Sequence, residues 1–250
     1  MQYVMLIDIG LCHDCNNCFM ACKDEYVGND YPGYNTAQPK HGARWMDIQR
    51  RERGQYPMID VAFLPKPCMQ CGSPACGGKK RPDGIVMLDR DIGNCPYGCL
   101  WPNGDTYQKC SFCAHLLDLG EDKPRCVAAC PTGALDFKKV DENGYKKLLD
   151  NGYEPYLADS PSVLYKNLGR FTKHFIGGSV IKENDCLEGE TVKLLNEDGD
   201  LLSEQKTNGF GDFKFDFLPD GSYTVCIADK RIDVKLTESK SLGVIELGNA

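Results

Sequence analysis

The last third of the chain alternates. In GDFKFDF (211–217) apolar and polar residues change places at almost every step, which predicts a strand with Phe213, Phe215 and Phe217 on one face. Upstream, TVKLL (191–195) and LLSEQK (201–206) flank NEDGD, whose Asp-Gly pair is a hairpin signal. Downstream, the turn LPDG leads into SYTVCIAD, RIDVKLT and GVIEL. About seven short strands at this spacing predict a small all-β sandwich, and it is placed at residues 178–250. Residues 1–140 have no such rhythm and little helical periodicity; clustered cysteines dominate them. Residues 141–177, polar and aromatic, read as a connecting arm.

The cysteines change the picture most. A chain of 250 residues has room for two domains, and this one holds fifteen cysteines, thirteen of them between Cys12 and Cys130. Cysteines two or three residues apart bridge each other poorly as disulfides, and an odd total leaves a thiol over. Thiolate metal sites assembled in a reducing compartment are the better reading. Cys186 and Cys226, in the strand-rich segment, are expected to be small buried apolar thiols. The formal charge of −7 gives no basic face for nucleic acid. The one basic run, RWMDIQRRERG (44–54), reads as a solvated hairpin face. No apolar stretch reaches the 18 or so residues of a membrane helix, and the N-terminus has no basic n-region or cleavage site. A soluble, cytoplasmic protein is expected.

The spacing of the cysteines carries specific chemistry. CHDCNNCFMACK places Cys12, Cys15 and Cys18 at two-residue intervals, so three thiolates can wrap one iron–sulfur cubane. Cys22, three residues further on, cannot return to the same cubane and in two-cluster ferredoxins ligates the other. The partner motif is KCSFCAHLLDLGEDKPRCVAACPTGAL (109–135), with Cys110, Cys113, Cys126 and the proline-marked Cys130. Crossing the two gives one cubane on Cys12, Cys15, Cys18 and Cys130, and a second on Cys22, Cys110, Cys113 and Cys126. Between them CMQCGSPAC supplies Cys68, Cys71 and Cys76, and NCPYG supplies Cys95. Crossed in the same way, these four complete a third. Cys99 is left as a spare thiol nearby, with replacement of Cys95 as ligand the alternative. Zinc also takes four thiolates, but usually from separated Cys-x2-Cys pairs.

These motifs resemble the iron–sulfur electron-transfer subunits of the dimethyl sulfoxide reductase family of molybdenum or tungsten enzymes. YPMIDVAFLPKPCMQC, DGIVMLD (83–89) and CPTGAL match beyond the cysteines. The resemblance implies an α+β double ferredoxin-like domain over residues 1–140. GFGDFKFDFLPDGSYTVCI is similar to prealbumin-like or Cna-B-type repeats, generally adhesion, spacer or docking modules, which implies no chemistry for the sandwich.

The family usually carries four cubanes, and this chain departs from it at one place. Its second motif closes with Cys-x3-Cys-Pro and its third opens with Cys-x2-Cys-x2-Cys. Here Lys80 stands four residues after Cys76, and five residues between Asp89 and Cys95 leave no room for the opening. The four missing positions are one complete ligand set, so three [4Fe–4S] clusters are expected.

The family also implies that catalysis belongs to a large partner subunit holding a molybdenum bis-pterin guanine dinucleotide. A heterodimer or higher assembly is expected, without nucleic acid or direct membrane insertion and without a catalytic residue in this chain. Three clusters with a C-terminal sandwich are similar to the small subunit of family members that transfer a hydroxyl group between polyhydroxylated benzenes, a reaction with no net redox change. The alternative is a subunit passing electrons to an external acceptor in a formate, polysulfide or similar system. His13 and His115 sit inside cysteine motifs, where packing or surface exposure is the favoured role over cluster tuning.

Overall fold

A computed structural model describes residues 1–88, 94–104 and 106–248. The chain divides into two compact units, Met1–Gln49 with Phe63–Leu168, and Arg50–Ala62 with Gly169–Ala250. The expectation for DGIVMLD reaches Asp89, which lies outside the described residues, and that for the sandwich reaches residues 249–250, which do too.

In chain order the first elements are β1 (Gln2–Asp8), α1 (Asn17–Tyr26), β2 (Asp47–Gln55) and β3 (Met58–Lys66). Two short pairs follow, β4 (Lys79–Lys80) with β5 (Val86–Met87), and β6 (Trp101–Asn103) with β7 (Thr106–Gln108). Then come α2 (Ala114–Asp118), α3 (Arg125–Ala128), β8 (Leu135–Val140), α4 (Glu142–Asp150), β9 (Tyr153–Pro155) and β10 (Val163–Lys166). β2 and β3 form a hairpin.

The main sheet of the first unit runs β8-β1-β10-β9, with β1 antiparallel to β8 and parallel to β10. Val4, Met5, Leu6 and Ile7 are all buried, as a strand covered on both faces requires. Val4, Leu6 and Leu164 pack with Tyr145 and Leu148 of α4. That helix starts where the Asp141 carboxylate accepts from the Gly144 amide at 2.7 Å. Residues 141–177, expected as an arm, thus carry α4, β9 and β10, and the boundary between units falls at Leu168/Gly169. The parallel β1–β10 register, Met5 opposite Val163, draws that segment into the sheet.

The second unit continues with α5 (Gly169–Thr172), β11 (His174–Lys182), β12 (Asp185–Cys186), β13 (Thr191–Leu195), β14 (Leu201–Lys206), β15 (Asp212–Leu218), β16 (Gly221–Ile227), β17 (Lys230–Leu236) and β18 (Lys240–Leu247). One sheet is β12-β11-β15 with β18 also on β11; the other is β14-β13-β16-β17. Inward residues of both, among them Ile176, Val180, Leu194, Phe213, Val225 and Leu236, close into one apolar core. Each such side chain contributes about 1.5–3 kcal/mol of burial, before the entropy of ordering the chain is set against it.

Three expectations need correction here. Phe213 and Phe215 enter the core, but Phe217 is 46% exposed: its backbone turns left-handed (φ 62°) and breaks the alternation. Cys186 is exposed and Cys226 only half-buried, because β12 is a two-residue edge strand and the Cys226 side of β16 faces away from the core. The basic run 44–54 is not wholly solvated either. The Arg53 side chain is fully buried, donates to Asp60, and donates from Nη1 to Asp216 Oδ1 at 2.8 Å. Lys214 and Arg170 hold the other sides of that carboxylate pair. Among the described residues no helix is long and apolar enough to cross a membrane.

Candidate functional site

The first unit positions its cysteines with a repeated turn. The residue just before the second cysteine of each opening motif is left-handed: Asp14 (φ 56°), Gln70 (φ 51°) and Phe112 (φ 54°). None is glycine, so each costs about 1–2 kcal/mol of backbone strain, and the strain recurs where sulfurs must be turned to a common side. Helices take over behind the first and last of these turns. α1 carries Cys18 and Cys22 one turn apart, both buried; α2 starts directly after Cys113; α3 carries Cys126, and Cys130 follows it.

The thiols gather in three neighbourhoods. Cys18 lies within electrostatic reach of Cys12, Cys15 and Cys130. Cys126 is near Cys113, Cys110 and Cys22, and Cys22 in turn near Cys110 and Cys113. Cys68, Cys71, Cys76, Cys95 and Cys99 line a single pocket, closed by Met69, Val86 and Lys109. The groups also touch one another: Cys126 feels Cys18, and Cys110 feels Cys68. Among the described residues no three such side chains converge tightly enough for one metal ion.

Burial decides the electrostatics. It pushes the Cys18 and Cys110 thiols up to about 12 and Cys71 up to about 11, with neighbouring sulfurs adding to the rise. Cys22 and Cys126 are pushed well up for the same reasons. Such thiols stay protonated unless a cationic centre takes up their charge; a bound metal deprotonates its thiol outright. Donors on the sulfurs prepare for that charge. The Phe112 amide donates to Cys110 Sγ at 3.4 Å, the Gln38 amide to Cys22 Sγ at 3.8 Å, and the Tyr26 hydroxyl to Cys113. Cys95 and Cys99 act on each other, the contact lowering Cys95 and raising Cys99, while the Cys99 thiol also faces the Pro67 and Tyr97 carbonyls at 3.7 and 3.6 Å. The donor chemistry therefore suits iron–sulfur clusters.

Two buried polar groups, invisible in the cysteine spacing, lock the second motif to the fourth. The Gln70 amide donates to the Cys110 carbonyl at 2.7 Å and its oxygen accepts from the Val86 amide at 2.7 Å. Lys109 Nζ donates to the same Cys110 carbonyl at 3.0 Å and to the Val86 carbonyl. His13 is exposed, and His115 is buried, stacked on Tyr31 with its Nε2 2.9 Å from Glu25 Oε1. Lys80 lies exposed in β4, opposite Val86 of β5.

Comparison with known proteins agrees with this geometry. The 4Fe-4S dicluster domain matches residues 59–140, and DUF1416, a family described as a protein of unknown function, matches residues 162–246. The chain is 42% identical to the pyrogallol hydroxytransferase small subunit of Pelobacter acidigallici, over 98% of this chain and 99% of that one. It belongs to that protein's family. A further member is the iron–sulfur cluster-binding subunit of menaquinone reductase from Nitratidesulfovibrio vulgaris, 28% identical over 55% of this chain and 75% of that one. A subunit of the anaerobic dimethyl sulfoxide reductase of Escherichia coli is 30% identical over 56% of this chain and 75% of its own length. The family is that of iron–sulfur electron-transfer subunits.

Proposed function

We propose that this chain is the iron–sulfur subunit of a cytoplasmic molybdenum enzyme that transfers hydroxyl groups between pyrogallol and phloroglucinol, and that it carries three [4Fe–4S] clusters. The first cluster is assigned to Cys12, Cys15, Cys18 and Cys130, the second to Cys22, Cys110, Cys113 and Cys126, and the third to Cys68, Cys71, Cys76 and Cys95. The repeated left-handed turn at Asp14, Gln70 and Phe112 supports two ferredoxin-like halves. The third assignment draws on the Cys99 thiol being turned to the Pro67 and Tyr97 carbonyls, which leaves Cys95 as the fourth sulfur of the pocket.

The single observation that carries the reading is the likeness to a pyrogallol hydroxytransferase small subunit along nearly the whole chain, sandwich included. The clusters would supply one-electron storage, and this chain's residues bury them, hydrogen-bond their sulfurs and hold them in place. The reaction itself is assigned to a molybdenum bis-pterin guanine dinucleotide in a large partner subunit. An isomerising hydroxyl transfer needs no steady traffic of electrons to an outside acceptor. That fits a chain in which a surface lysine, Lys80, stands where a fourth cluster would need a thiolate.

A second reading has its own support: the reductase subunits match only about half of the chain. On that reading the chain passes electrons to an external acceptor, as in a formate or polysulfide system. The co-purified two-subunit enzyme separates the two. Hydroxyl transfer with no added acceptor is the expected result; strict dependence on an acceptor would support the second reading.

A further inference from the structure

Lys109 is 2% exposed. Its hydrogen-bond partners among the described residues, the Val86 and Cys110 carbonyls, are neutral. A buried ammonium is stable only when its charge is compensated. Among the described residues the groups of opposite charge that face it are the sulfurs. Lys109 lines the pocket of Cys68, Cys71, Cys76 and Cys95, and it also acts electrostatically on Cys110. Cys110 in turn is within electrostatic reach of Cys68, so the second and third thiol groups adjoin at this lysine.

We propose that Lys109 is the positioning cation at the junction of the second and third clusters, raising their potentials and favouring the electron's residence there over the first cluster. The inference rests on the cluster assignments of the proposed function. Each one-electron reduction adds one negative charge to a cluster already bounded by four thiolates. A fixed ammonium in a buried, low-dielectric setting stabilises that added charge more than any solvated lysine could. Gln70 makes the placement rigid, because it ties the same Cys110 carbonyl to β5 from the other side. Lys109 bonds the carbonyls of this junction, so its ammonium is held at a fixed place relative to both groups of sulfurs.

The test is a potentiometric titration of the anaerobic two-subunit enzyme followed by electron paramagnetic resonance, with iron and sulfide measured on each sample. Lys109→Gln keeps a donor for the carbonyls and removes the charge; Lys109→Arg keeps the charge. In the Gln variant, iron content should equal that of the wild type. At a fixed applied potential, the reduced-to-oxidised ratio of at least one cluster should fall about tenfold, equivalent to about 59 mV for a one-electron couple. One cluster should keep its potential, and the Arg variant should titrate like the wild type. Unchanged potentials in the Gln variant, or an equal downward shift in the Arg variant, would overturn the role assigned to the charge. Should the Gln variant fail to assemble, intact clusters in the Arg variant support the proposal and loss in both contradicts it. A wild-type enzyme without three clusters would instead sink the assignments on which the inference stands.

Discussion

In the sandwich unit thirteen buried side chains form one hydrocarbon core, complete as it stands. The interior of the other unit buries Cys12, Cys18, Cys22, Cys68, Cys76, Cys113 and Cys126 beside its apolar residues. Hydrocarbon side chains gain by touching one another, whereas crowded thiols gain little and resist ionisation, as the upward shifts at Cys18, Cys71 and Cys110 express. The sandwich is stabilised by what the chain contains, and the cysteine unit by what it binds.

Removing iron should therefore divide the molecule, and this is the largest effect expected. After anaerobic chelation, amides of β1, β8 and β10 should lose hydrogen-exchange protection while those of β13 and β16 keep it. Equal loss in both units would break the contrast. A single ligand substitution is the next step down. Cys126→Ala should remove about four of about twelve irons, whereas Cys99→Ala should remove none by elemental analysis. Iron loss in the Cys99 variant would make Cys99 a ligand.

The sandwich should respond to the opposite treatment. Leu194 is fully buried, and Leu194→Ala should cost about 2–5 kcal/mol of sandwich stability with iron content unchanged. Smaller still is the effect of Asp60→Asn, about 1.5–3 kcal/mol for a hydrogen-bonded charge, because Asp216 continues to hold Arg53. Burial opposes ionisation of Asp60, but Arg170, Arg53 and Lys214 together hold its carboxylate well below the usual range, and Asp216 is lowered by Arg53 and Lys214. With folded values depressed, their stabilisation is fully present above the ordinary carboxylate value of about 3.9 and is lost as pH falls below it. The melting temperature of the sandwich should drop in that acid range, and less steeply in the Asp60→Asn variant.

The two units also differed in what could be read from sequence. Alternation revealed the strands because β13, β16 and the first part of β15 send every second side chain into one core. Cysteine spacing pointed to iron–sulfur chemistry because ligand loops are local and repetitive. Long-range pairing stayed hidden. Nothing near Arg53 announces Asp216, its partner 163 residues away, so a run of arginines looked solvated. The parallel pairing of β1 with β10 likewise leaves no local mark, and residues 141–177 looked like an arm. Phe217 fits the alternation in type but leaves it in conformation, a backbone choice that residue identity does not reveal. Lys109 looks like any lysine beside a cysteine until the burial of its side chain is known.

The central claim is that three clusters, and not four, occupy the cysteine unit. Iron and acid-labile sulfide per chain, measured on the anaerobically prepared two-subunit enzyme and corrected for its partner's content, test it most directly. The account predicts about twelve of each; about sixteen, about eight, or zinc without sulfide would contradict it.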